Sequence, residues 1–306
     1  MTTVREMYHL VSTKRLLAIH AHPDDESSKG AATTAKYAAE GAEVLVVTCT
    51  GGERGDIINP AMDRPGVLEN MGSIRREEMA EAAAALGVQH TWLGHIDSGL
   101  PGNPLAPNIK DLLPEGCFAL MEDDDVAQEL VKIIREFKPQ VIITYDENGG
   151  YPHPDHLMVY RSSMIAWDKA GDETYHPELG QAWEPQKLYY SHGFVYQRMK
   201  IFHDLLLEEG KVSPYEPMLA RWDTTFGDIM ARVTTQVECA DYFQNREDAL
   251  RAHATQIDPA GAFLATPVEV QQQHWPTEEF ELAKTRVSTE LPENDLFAGI
   301  PEVGES

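Results

Sequence analysis

The chain has 306 residues, 42% hydrophobic and 25% charged, which suits a globular protein with a large core in one domain or in one domain plus an elaboration. Acidic residues outnumber basic ones 50 to 25, a formal net charge of -25. No basic stripe is left to neutralise phosphates or anionic lipid, so nucleic acid and membrane surfaces are excluded as partners.

Residues 1–13 read as a polar N-terminal extension. The apolar run Leu16 to Ile19 predicts a short buried strand over Arg15 to His20. Pro23 stops it, and His20, His22, Asp24, Asp25 and Glu26 crowd the corner behind it. An Ala-rich helix is expected from Ala31 to about Glu40, capped by Ser27 or Ser28 and closed by Gly41. In open α/β sheets ligands bind at such carboxyl ends of strands. His22 and Asp25 lie three residues apart across a sharp turn and can reach one cation. Asp24, between them, points elsewhere and is free to handle protons. Acidic residues also suit a helix N-terminus, which accounts for the carboxylates but not the histidines. Glu26 is read as structural and His20 as packing or support.

Val44 to Cys49 is a second buried strand, of the parallel type. It empties into T-G-G-E-R-G-D, whose glycine spacing is not that of a dinucleotide loop. Backbone freedom there would let Glu53 and Arg54 face a pocket. Residues 57–72 look irregular, Ile74 to Leu86 is helical, and His90 to Leu93 is a strand leading to His95 and Asp97. The Pro- and Gly-rich stretch 100–117 reads as a long loop near the site. A helix over Asp123 to Phe137 precedes a strand over Val141 to Tyr145, which runs into D-E-N-G-G-Y-P-H-P-D-H; Leu157 to Ala170 is helical and Lys187 to Ser191 is a strand. The alternation predicts a Rossmann-like, doubly wound, mostly parallel α/β sheet over residues 14–195. Residues 196–306 read as a mainly helical C-terminal elaboration over the sheet edge. The cysteines Cys49, Cys117 and Cys239 are odd in number and lack a C-x-x-C pair, so no disulfide framework or thiolate site is expected. With no apolar run of 18 residues and no signal-peptide core, a cytoplasmic location is expected.

Two His/Asp loops, each behind a buried strand, point to a metal site. His156 completes a two-histidine, one-carboxylate set with His22 and Asp25, and three protein ligands leave a position open for water. The donors suit zinc, and also accept Fe(II) or Co(II).

The motifs A-H-P-D-D and H-P-D-H resemble those of the LmbE-like, or PIG-L, zinc-dependent N-deacetylases, and the likeness runs from about Lys14 to the last helix. The stretches H-A-H-P-D-D-E-S-S-K-G, T-G-G-E-R-G-D-I, Y-D-E-N-G-G-Y-P-H-P-D-H, R-A-H-A-T-Q-I-D-P and W-P-T-E-E-F-E-L-A are most similar to the family's amidase branch. The resemblance implies an LmbE-like fold and one zinc per chain. It implies hydrolysis of the glucosamine-linked amide of mycothiol S-conjugates, a small-molecule pseudo-disaccharide thiol, to glucosaminyl-inositol and a mercapturic acid. The alternative is deacetylation of N-acetylglucosaminyl-inositol; a non-catalytic metal-dependent sugar-binding protein is more distant. Homo-oligomerisation is left open.

Amide hydrolysis needs an activated water, a stabilised oxyanion and a proton for the leaving amine. Asp24 is the candidate base. His153 is the candidate imidazolium for the oxyanion, or the general acid. Tyr151 is an oxyanion donor or pocket wall, and Asp155 orients a histidine or caps its loop. The family gives the matching aspartate, histidine and tyrosine these roles. By motif position Lys29, Glu53, Arg54, Arg75 and Asp97 resemble substrate-pocket residues; Arg75 and Asp97 match positions that hold sugar and inositol hydroxyls. Lys29 matches a lysine that marks the amidase branch, and a lysine opening a helix opposes the dipole unless it has a ligand to meet. His90, His95, His192, His203, His253 and His274 are read as surface or satisfied core histidines.

Overall fold

A computed structural model describes residues 14–222 and 227–301. The N-terminal extension over 1–13 lies outside the described residues. Seven strands form one sheet in the order β3-β2-β1-β4-β5-β7-β6. They are β1 (Arg15–His20), β2 (Glu43–Thr50), β3 (Gln89–His95), β4 (Val141–Thr144), β5 (Lys187–His192), β6 (Thr235–Glu238) and β7 (Thr277–Thr285). The first five pair in parallel and β7 alone runs against them, antiparallel to both β5 and β6, so the expected mostly parallel sheet is what forms. β1, β2 and β4 are almost wholly buried, as their continuous apolar runs require of strands covered on both faces.

One face packs on helices α3 (Asp123–Phe137) and α4 (Pro154–Lys169), with Leu17, Ile19, Val131, Ile134, Val159 and Trp167 in a shared core. The other packs on α1 (Ala31–Ala39) and α2 (Met71–Leu86), where Leu16, Ala18, Tyr37, Val46 and Met79 meet Leu296 and Phe297 from the C-terminal segment. The chain runs outward from β1 to β3 and then returns to place β4 on the other side of β1. That reversal makes the carboxyl ends of β1 and β4 a topological switch point, where the crevice of a doubly wound sheet opens.

The segment from 196 onward supplies helices, among them α5 (Tyr196–Glu208), α6 (Phe243–Ala252) and α7 (Val268–His274), and also β6 and β7, which the sequence reading did not identify. The sequence T-E-E-F-E-L-A-K-T hides β7, because its glutamates read as solvent-facing. In the fold Glu278 and Glu279 are buried and meet Arg246 and Arg198. Glu278 also corrects the expected cap of α1. No serine caps that helix; Gly30 stands at its N-cap, and the Glu278 carboxylate accepts from the Ala32 and Thr33 amides at 3.2 and 2.8 Å. A tertiary carboxylate has replaced the local cap.

Candidate active site

The second His/Asp stretch is not all loop. Helix α4 begins at Pro154, with proline in the first turn and His153 as N-cap, so Asp155 and His156 stand in that first turn. β1 likewise ends at His20, and a single helical turn, Asp25–Ser28, follows the Pro23 corner. The two segments face each other at the switch point.

His22 Nδ1, Asp25 Oδ2 and His156 Nε2 converge. His22 Nδ1 lies 3.2 Å from His156 Nε2 and 3.5 Å from Asp25 Oδ2, and His156 Nε2 lies 3.3 Å from the same oxygen. Four donors at about 2.0–2.1 Å around a tetrahedral ion stand roughly 3.3–3.4 Å apart, so the triangle has the size of one tetrahedral face. The surrounding hydrogen bonds set the tautomers. His156 Nδ1 donates to the Gly149 carbonyl at 2.8 Å, and His22 Nε2 donates to Asp155 Oδ2 at 3.1 Å. Each ring then turns a lone pair toward the other and toward a carboxylate oxygen. Three lone-pair donors aimed at one point fit a cation. Gly149 is obligatory: its φ is +70°, and a Cβ there would lie 2.8 Å from His156 Cβ.

A second cluster, His22, Asp97, His153 and Asp155, lies against the first. Its carboxylates are already engaged: Asp155 Oδ2 also accepts the Ser98 amide at 2.9 Å, and Asp97 accepts the amides of Arg54 and Gly99 at 2.9 and 2.8 Å. This cluster supports His22 rather than offering a second set of free lone pairs. Burial disfavours a charged His22, yet with no cation present the carboxylates of Asp155, Asp25 and Asp97 hold it well above the ordinary histidine range, so its Nδ1 lone pair is free for a cation only once that proton leaves. Burial alone would raise Asp25; the His156 and Lys29 charges and both histidine hydrogen bonds bring it well below the ordinary carboxylate range.

Asp24 sits beside the triangle with φ +128°, a conformation rare outside glycine. Its Oδ2 accepts from Arg75 Nη2 at 2.9 Å. Burial pushes its carboxyl up, Asp25 adds to that, and Arg75 opposes it. Arg75 is itself buried, and also donates to the carbonyls of Pro23 and Gly52. The glycine-rich loop exists partly for this arginine: a Cβ on Gly52 would lie 2.2 Å from Arg75 Nη1.

His153 Nδ1 accepts the Asp155 amide at 3.2 Å, so its proton is on Nε2. Burial, then the charges of His22 and His156, push it down to about 2. Its surroundings favour the neutral ring, not the imidazolium expected from sequence, and a cation in the triangle acts in the same direction. Burial and the Asp25 and Asp24 charges raise the Tyr151 phenol well above its usual value, so it stays a donor.

Of the expected substrate residues, Arg54, Arg75 and Asp97 line the cleft with His22, Asp24, Tyr151 and His153. Lys29 and Glu53 do not. The Lys29 ammonium is buried and lies 2.5 Å from Asp25 Oδ1, one helical turn away, and Glu53 Oε1 accepts the Asp97 amide at 3.0 Å. Both hold a site residue instead of facing the cleft. The loop over 100–117 does reach it: Leu100, Pro101, Leu112, Leu113 and Pro114 form an apolar wall. Sequence reasoning missed Tyr145, whose ring stacks on His156 at 4.4 Å and whose hydroxyl accepts the Ala21 amide at 2.9 Å. It also missed His253, buried against Glu26 at 2.6 Å. Burial opposes both charges, but the pair wins: Glu26 is pushed down to about 2 and His253 is raised. The R-A-H-A-T-Q motif was the available signal.

Residues 17–167 match the family model PIG-L: GlcNAc-PI de-N-acetylase. The chain is 56% identical over 290 residues to a mycothiol S-conjugate amidase of Streptomyces coelicolor, covering 94% of this chain and 97% of that protein. It is 38% identical over 299 residues to a 1D-myo-inositol 2-acetamido-2-deoxy-alpha-D-glucopyranoside deacetylase of Streptomyces scabiei, covering 94% and 90%. Among solved structures it is similar to the N,N'-diacetylchitobiose deacetylase from Pyrococcus horikoshii, with TM-score 0.53, 18% identity and coverage of 90% and 78%. It is also similar to GalB, the 4-carboxy-2-hydroxymuconate hydratase of Pseudomonas putida, with TM-score 0.57, 18% identity and coverage of 91% and 100%. A deacetylase and a hydratase share the architecture, so these two likenesses carry the fold and not the reaction.

Proposed function

The chain belongs to the PIG-L family, and from that premise we propose that it is a metal-dependent amidase acting on mycothiol S-conjugates. It would cleave the amide on the glucosamine nitrogen, releasing glucosaminyl-inositol and a mercapturic acid. The observation that carries the substrate is the 56% identity, over nearly the whole of both chains, to a protein of that name, against 38% to the acetyl-sugar deacetylase.

In this reading His22, Asp25 and His156 hold one divalent cation, zinc in our assignment. Such a cation lowers the pKa of a water and polarises the scissile carbonyl. Asp24 takes the proton of the attacking water, its carboxylate held by Arg75 at 2.9 Å and raised by burial toward a value useful for a base. Tyr151 and the Nε2–H of His153 donate to the developing oxyanion. In this reading Asp24 also returns the proton to the leaving nitrogen, with His153 the alternative general acid. Asp155 fixes the His22 ring through their 3.1 Å bond. Arg54, Arg75 and Asp97 meet the sugar and inositol hydroxyls, while Lys29 and Glu53 act one step back, through Asp25 and Asp97. In the same reading residues 14–195 are the metal-bearing core and 196–306 its elaboration.

The test is side-by-side hydrolysis of a bulky mycothiol S-conjugate and N-acetylglucosaminyl-inositol, by protein stripped of metal and reloaded with zinc or Fe(II). Metal-dependent preference for the conjugate is the expected result. Preference for the acetyl sugar would move the protein to the deacetylase branch with the same site. No hydrolysis of either would overturn the substrate, and faster turnover with Fe(II) would overturn zinc.

A further inference from the structure

The chemistry above leaves the R-A-H-A-T-Q stretch, residues 251–256, almost unused, yet it is anchored beside the site by buried side chains. The Thr255 amide and hydroxyl donate to Glu78 Oε1 and Oε2, both at 2.7 Å, which fixes the stretch on α2, the helix that carries Arg75. His253 is fully buried, and its Nδ1 has no hydrogen-bond partner among the described residues. Its Nε2 lies 2.6 Å from Glu26 Oε1. The other oxygen, Glu26 Oε2, accepts the backbone amide of Asp24 at 2.9 Å. Asp24 is the residue at φ +128°, and strained backbone persists only where its surroundings hold it. Two separate devices therefore clamp Asp24: Arg75 on its carboxylate, and Glu26 on its backbone amide.

We infer that His253, acting through Glu26, is a positioning residue that holds Asp24 in its strained conformation and so aims the Asp24 carboxylate at the reacting water. The inference rests on the reading of Asp24 as base. Nothing in it requires His253 to touch substrate or metal. It explains why a buried imidazole makes one polar contact and spends it on a carboxylate two residues from the base.

The contact uses Nε2, which separates two amide replacements. In His253→Gln the amide nitrogen reaches the place of Nε2; in His253→Asn it ends near the place of Nδ1 and falls short of Glu26. We expect His253→Asn and His253→Leu to lower kcat by about tenfold or more, since misplacing a catalytic group by a full ångström can cost about a hundredfold. KM should stay within about twofold and metal content should remain at the parent level, because neither the cleft nor the triangle is touched. His253→Gln should recover most of the loss. A merely structural histidine would give matching losses in Gln and Asn, or a loss tracking metal content or KM, and either pattern overturns the inference. If the Leu variant does not fold, the Gln and Asn pair decides. Asp24→Asn is run beside them. Activity surviving in Asp24→Asn would refute the base itself. An inactive Asp24→Asn beside a fully active His253→Asn would refute the role of His253 alone.

Discussion

Two buried charge clusters stand at opposite ends of the same sheet, and they are built on different principles. At the amino end of β5, fully buried Lys187 gives its ammonium to Glu293 at 2.7 Å and to the Ala298 carbonyl at 2.8 Å. Glu293 also accepts from Tyr189, from Thr289 at 2.6 Å and from Thr235 at 3.1 Å. Donors meet acceptors throughout, and the cluster ties the C-terminal segment to the sheet. At the carboxyl ends of β1 and β4, His22, Asp25 and His156 turn acceptors toward acceptors, and Asp155 Oδ1 has no hydrogen-bond partner among the described residues. A satisfied buried cluster is architecture. One whose lone pairs converge is built for something the chain does not itself contain.

The contrast can be broken at either end. Removing metal with a chelator should abolish amide hydrolysis and leave the far-ultraviolet circular dichroism spectrum intact, with activity returning on reloading; activity that survives complete removal would refute the metal-centred reading. Asp24→Asn should lower kcat by about 10²–10⁴ with metal still bound, measured by steady-state kinetics beside metal analysis. At the other end, Lys187→Met strands the Glu293 carboxylate and should cost about 3–5 kcal/mol in urea unfolding, while kcat of the protein that remains folded is unchanged. A fall in kcat without loss of stability would show that the two clusters are coupled.

The smallest effect concerns pH. His90 belongs to neither cluster; burial pushes it down to about 4, and its Nε2 lies 3.0 Å from Thr48 Oγ1. Its ordinary value is 6.5, so between pH 6.5 and about 4 the unfolded chain binds the proton that the folded chain refuses. Its contribution to stability is therefore whole above 6.5 and declines as pH falls to about 4. His90→Gln should flatten that part of the acid unfolding curve; an unchanged slope would show that His90 folds charged.

Much of the site was legible because strand periodicity, proline and the His/Asp motifs are local signals. An apolar run ending in H-P-D-D must present its polar residues at the end of a strand, and the run V-I-I-T, which empties into Y-P-H-P-D-H, does the same, so the two clusters are expected to share one site. Arg75 and Asp97, far apart in sequence, were named from the family resemblance, and both line the cleft. Lys29 shows where that kind of inference stops. Its place on the turn could be read, but the 2.5 Å contact with Asp25 depends on the path of one helical turn.

What the sequence by itself determined was therefore the parallel sheet, the order of its first five strands along the chain, and the residues that crowd its switch point. Hydrophobic run length, proline and residue chemistry act within a few residues, and they suffice for that. The tertiary structure alone decided the rest. β7 could be told from a helix only once half-buried arginines met its glutamates, and Glu278 caps α1 from 246 and 245 residues away. Burial, and then the two histidines packed beside it, push His153 below the ordinary histidine range. The hold on Asp24 comes from Arg75, 51 residues away, and from Glu26, whose own bond to His253 spans 227 residues. Charge and hydrogen bonding at these positions depend on what lies across the fold, and no local pattern records that.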